Sequence, residues 1–161
     1  LYSAPSYKRV FLRFLVIGLG IPLVLLAAST IIYFSHPVER KQLSPTFFSL
    51  ITLGLAAAGA IIWIFFSKIL YHRLWTVFGH LPELQDAWTF AEGVYGLIGV
   101  GISLSSALGL LYYLISGDFL RSLFLHALAV LLLAIEVSRF LPRMDRLEEI
   151  SRAKDGNRQE L

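Results

Sequence analysis

The sequence predicts an all-α, polytopic integral membrane protein: four transmembrane helices in a bundle, with both ends in the cytoplasm. Three observations predict it. The 161 residues are 57% hydrophobic and only 16% charged, whereas a soluble domain carries about 25% charged residues. The apolar residues stand in four long blocks, not at the spacing of an amphipathic helix. A helix needs roughly 20 apolar residues to cross a hydrocarbon core of about 30 Å, and each block is long enough. Finally, the basic residues cluster on one side of those blocks.

The first span covers residues 11–34, behind Tyr7, Lys8, Arg9 and Arg13. Pro22 lies inside it, after Gly18 and Gly20. Proline removes a backbone donor and kinks a helix, so Pro22 marks a hinge. Residues 35–45 form a short polar loop holding Glu39, Arg40 and Lys41. The second span covers residues 46–71 and ends in Lys68, His72 and Arg73. Residues 74–89 read as the longest connection, with an interfacial helix starting near Pro82, since proline suits a first helical position. Trp75 and Trp88 fit an aromatic belt at the headgroups. The third span covers residues 90–115 and is rich in Gly and Ser. Ser116, Gly117 and Asp118 form a tight turn. The fourth span covers residues 119–141 and is stopped by Pro142. The chain thus divides into a transmembrane domain, residues 1–142, and a polar cytoplasmic tail, residues 143–161. Met144, Leu147 and Ile150 recur every third residue, and Glu148 with Arg152 makes an i,i+4 pair. One or two turns of amphipathic helix are expected there, then disorder from Asp155. The chain opens on Leu1, so sequence is expected upstream of it.

Orientation follows from charge. Lys8, Arg9, Arg13, Lys68, Arg73, Arg139, Arg143, Arg146, Arg152, Lys154 and Arg158 fall on one side of the spans. Arg40, Lys41 and Arg121 fall on the other. Positive residues stay cytoplasmic. Both termini and the connection after the second span are therefore expected inside, in a bacterial inner membrane. The net charge of +3 belongs to helix ends, so nucleic acid is not an expected partner. There is no cysteine, which excludes disulfides, thiolate metal sites and cysteine redox relays.

Lipid gives helices no hydrophobic reason to associate, so small residues that allow close approach mark the contacts. Gly101, Ser105 and Gly109 share one face of the third span. Gly93, Gly96, Gly99, Ser103 and Ser106 make a second small stripe. A helix that is small on two sides belongs in the centre. The second span offers Gly54 with Ala58, and Ala56 with Ala60. The first and fourth spans are bulkier and are expected to meet more lipid. Tyr33, Tyr112 and Tyr113 read as outer anchors, and Trp63 as a packing or lipid-facing residue.

Ionisable groups inside a membrane are expensive and are candidates for function. Glu136 sits ~4–5 Å along the axis from Arg139 at 1.5 Å per residue. A salt bridge closed on Arg139 is the preferred reading; a proton or cation site, or an intersubunit contact, is the functional one. Glu92 opens the third span, where the helix dipole favours an acid in the first turn. It lies at the depth of Glu136, so the functional reading joins the two carboxylates in one shallow ion or proton site. His126 is the deepest ionisable group, ~7–8 Å below Arg121. Its imidazole could ligate a haem or chlorophyll metal or carry a proton. A hydrogen bond to a neighbouring Ser or carbonyl is the preferred reading. His36, His72 and His80 fall in loops or at helix ends with no metal spacing, so no metal site is expected.

These residues suggest a non-catalytic integral subunit, an accessory or assembly component of a larger membrane complex. Its partners would be lipid and other membrane subunits or copies of itself. The alternative is a small homo-oligomeric ion, proton or solute transporter using Glu92 and Glu136. A third reading is a cofactor-binding subunit working through His126.

Overall fold

Four helices follow one another: α1 (Tyr7–Ser35), α2 (Pro45–Phe78), α3 (Leu84–Ser116) and α4 (Phe119–Gln159). The computed structural model describes residues 7–36, 38–39, 44–78, 80 and 84–159. Each helix contains a segment long and apolar enough to cross a membrane. Arg40, Lys41 and Pro82 lie outside the described residues, as does the side chain of Arg152 that would pair with Glu148.

The helix ends follow local chemistry. The Ser44 hydroxyl accepts the Phe47 amide at 3.2 Å, capping α2, and Pro45 fills the first position, where no amide is needed. Between α3 and α4, Gly117 takes φ 71°, a left-handed conformation that glycine adopts without cost. Its amide closes on the Tyr113 carbonyl at 2.8 Å. Asp118 then caps α4, its Oδ1 accepting the Arg121 amide at 3.2 Å.

The helices run further than the apolar blocks. The 74–89 connection shrinks, because α2 continues to Phe78 and α3 starts at Leu84. The separate interfacial helix expected near Pro82 is the first part of α3. Tyr71, Leu74 and Phe78 carry the buried face of α2 onward, and Phe78 meets Trp88 edge to face at 5.6 Å. Trp88 is buried, so it packs inside the bundle and does not face headgroups. Likewise Pro142 does not stop the fourth helix, which runs through it to Gln159 without a break at Asp155. An interior proline costs about 3 kcal/mol. Beyond it, Met144 and Leu147 are buried, and full burial of such side chains from water is worth about 1.5–3 kcal/mol each. That gain offsets the lost hydrogen bond.

α3 is the centre. It touches each of the other helices, whereas α1 and α2 make no contact among the described residues. In its apolar segment 61% of residues are buried, against 17% in α1, 28% in α2 and 39% in α4. The outer helices are therefore α1 and α2, not α1 and α4. Two stripes of α3 serve two neighbours. Gly96 and Gly99 admit Ile17 and Gly18 of α1: a Cβ on Gly99 would stand 3.1 Å from the Gly18 nitrogen. Ser103, whose hydroxyl donates to the Gly99 carbonyl at 2.9 Å, stands 3.2 Å from the Ile17 carbonyl. On another face, Ser105 stands against Gly59 of α2, and Gly101 near Phe66. Gly109 instead meets Ser122, Leu125 and His126 of α4.

Some expected contacts are absent. A Cβ on Gly54 would have nothing within 4 Å, and Ala58 is only half-buried. The close face of α2 is Ala56 and Gly59, one helical row away. Gly93 also faces open space. Tyr112 and Tyr113 are buried and are core residues, not anchors. Tyr33 remains partly exposed and stacks on Phe119 at 4.5 Å. Pro22 is buried in an unbroken α1, its carbonyl 3.4 Å from the Ser106 hydroxyl.

Candidate functional site

Glu136 is the most enclosed charge in the described residues, with 0% exposure. The Tyr71 hydroxyl donates to its Oε2 at 2.6 Å. Ser67 donates to Oε1 at 3.3 Å. Arg143 Nη1 approaches Oε2 at 2.9 Å. The bridge to Arg139 expected from the sequence is replaced by one to Arg143, and helix geometry explains why. With 3.6 residues per turn, a residue seven further on is rotated by about 20°, one three further on by about 60°. Glu136 points inward, so of the two arginines only Arg143 stays on its face, while Arg139 swings to the surface. There it lies over the Trp63 ring at 5.9 Å, with Trp63 itself buried. Arg143 also stacks on the Tyr71 ring at 3.5 Å. Tyr95 adjoins Tyr71, ring centroids 5.7 Å apart, with its hydroxyl buried.

Beside this cluster a cleft of about 460 Å³ opens between α2 and α4, lined by Trp63, Ile64, Ser67, Lys68, Tyr71, Arg139 and Arg143. It contains three basic side chains and no acid.

Glu92 belongs elsewhere. It is not in the first turn of α3, which begins at Leu84 and holds Asp86 there. The helix dipole therefore does not account for it. Its partner is Arg13 of α1 at 3.0 Å, with Arg13 54% exposed. Glu92 lies on the α1/α3 seam and Glu136 on the α2/α4 seam, so the structure does not join them in one site.

His126 is buried between α1 and α3. Ser29 lies 3.2 Å from Nε2, and Ser106 is hydrogen-bonded to Nδ1. The shorter Ser29 contact, to a carbonyl of its own helix, favours one tautomer. Ser29 gives its proton to the Leu25 carbonyl at 2.9 Å, so it can only accept from the ring. Nε2 then carries the hydrogen, and Nδ1 accepts from Ser106. A metal at this imidazole would have to displace one of the serines.

At the other end of the bundle Arg121 pairs with Asp118 and reaches Ser49 at 3.3 Å. Among the described residues no group of three His, Asp or Glu side chains is placed to hold a metal ion.

Sequence reading singled out Glu136, Glu92, Arg139 and His126 but missed Tyr71, Ser67 and Arg143. The available signal was the seven-residue spacing of Glu136 and Arg143. The contribution of α2 had no signal in one sequence. No protein-family model matches the chain, and no curated protein or solved structure is significantly similar to it.

Proposed function

We propose that the protein is a non-catalytic integral subunit, an accessory or assembly component of a larger membrane complex. It sits in a bacterial inner membrane with both termini and the 79–83 connection in the cytoplasm, as the basic ends of α1, α2 and α4 favour. One observation carries the reading. The deep ionisable groups are closed on partners within the chain: Glu136 on Tyr71, Ser67 and Arg143, His126 on Ser29 and Ser106. Such groups fix helix register. A transport site must exchange its ligands, and these have little freedom to do so. Two further features favour assembly. The apolar flanks of α1 and α2 are open to lipid or to other subunits. Beyond Ile150, the last described residue packed against the core, α4 extends ~14 Å at 1.5 Å per residue, an arm suited to a cytoplasmic partner.

The competing reading is proton or solute transport through Glu136, favoured by a fully buried carboxylate next to an open cleft. The cationic lining of that cleft opposes a cation path. Purified chain in liposomes decides between them. The subunit reading expects no proton or cation flux above that of the Glu136→Gln variant. Flux lost in Glu136→Gln, with the variant still folded, would replace it by the transporter.

A further inference from the structure

Ser49 of α2 and Arg121 of α4 touch at 3.3 Å, which sets a common level at the far end of the bundle. From there Lys68 is nineteen residues along α2 and Arg139 eighteen along α4. At 1.5 Å per residue both lie ~27–29 Å away, close to the hydrocarbon thickness of about 30 Å. The two cations thus reach the opposite boundary together, on either side of the cleft between α2 and α4.

Neither Lys68 nor Arg139 forms an ion pair among the described residues. Arg143 does, but only one of its five donors is committed to Glu136. The cleft therefore holds more positive charge than its single neighbouring carboxylate balances. Trp63 and Tyr71 wall it, and each carries an arginine against its ring. These contacts hold two guanidinium groups before anything binds. The Ser67 hydroxyl is a further polar group in the wall. Toward the membrane centre the lining passes to Ile64, which is exposed and continues an apolar surface with Ile61. Basic charge at headgroup depth over an apolar slope matches the headgroup and acyl chain of an anionic phospholipid.

We propose that this cleft binds one anionic phospholipid, its phosphate held by Lys68 and Arg139 with Arg143 behind them, its acyl chain lying along Ile64 and Ile61. The site rests on the bundle spanning a bilayer, not on the subunit reading. A cleft of about 460 Å³ is several times the ~30 Å³ share of one water, leaving room for a glycerophosphate group and not only a bare anion.

The test uses full-length protein, stripped of lipid in mild detergent and offered phosphatidylglycerol, phosphatidylcholine or inorganic phosphate, with bound mass read by native mass spectrometry. One retained phosphatidylglycerol, preferred over phosphatidylcholine, is expected. Near a surface each cation contributes about fivefold, so Lys68→Gln with Arg139→Gln should weaken retention roughly twenty-five-fold. Arg9→Gln with Arg146→Gln, exposed and outside the cleft, should leave it unchanged. Should the first pair fail to fold, Lys68→Gln alone with Arg139→Lys as its charge-retaining control gives the same comparison. Equal retention of both lipids, or an unchanged Lys68/Arg139 variant, overturns the site. Displacement of the lipid by inorganic phosphate would make it a soluble-anion site and overturn it too. If the chain does not span a membrane, it washes off with alkaline carbonate, a separate readout.

Discussion

Removing the Arg143 side chain would leave the buried Glu136 carboxylate without its cation, held by Tyr71 and Ser67 alone among the described residues. Breaking a buried pair from one side costs about 3–5 kcal/mol, so Arg143→Ala should lower stability by that order in denaturant titration in mixed micelles. Tyr71→Phe removes one hydrogen bond to a charged group, worth about 1.5–3 kcal/mol, and should cost less. Replacing Glu136 and Arg143 together by Met should recover most of the loss, because the desolvation of both charges is removed as well. A double variant as unstable as Arg143→Ala would show that the pair is not the source of stability. At this scale the sequence singled out Glu136 and set Arg139 beside it, whereas the structure pairs it with Arg143. Its spacing to Arg139 satisfied a surface rule, but burial of one face made the i,i+7 partner the only one that stays inside.

Elements separate by what their glycines touch. Gly99 of α3 abuts the Gly18 backbone of α1, so Gly99→Ala must push two helices apart, at about 1–3 kcal/mol for overpacking. Gly54 faces nothing, and Ala is favoured over Gly in a helix by about 1 kcal/mol. Gly54→Ala should leave the unfolding transition unchanged or raise it, while Gly99→Ala lowers it; the reverse order would contradict the packing. The central place of α3 was legible in its two small stripes. The choice between Gly54 and Gly59 was not, since both lie in a helix of small residues and only the facing Ser105 distinguishes them. Helix ends were read too short for a physical reason. Hydropathy reports where lipid ends, whereas Phe78, Met144 and Leu147 extend the packed core past that point, where burial from water drives association again.

For the whole molecule the number and kind of elements were readable from apolar length alone, and α2 against α4 at Glu136 was not, because that contact joins residues far apart in the chain. Orientation is testable on a chain that has no cysteine of its own. A single cysteine in place of His80, which is exposed beside the α2–α3 connection, should react only with reagents reaching the cytoplasmic face. One in place of Glu39, exposed after α1, should react only from the other face. Labelling of both from one face would contradict the four-span arrangement. Function belongs to the same scale, since what is proposed is membership of an assembly. The most direct measurement is gentle extraction from the native membrane, followed by identification of everything that migrates with the chain on a native gel. Foreign membrane subunits in fixed stoichiometry are expected. A lone chain or a homo-oligomer would contradict the subunit reading.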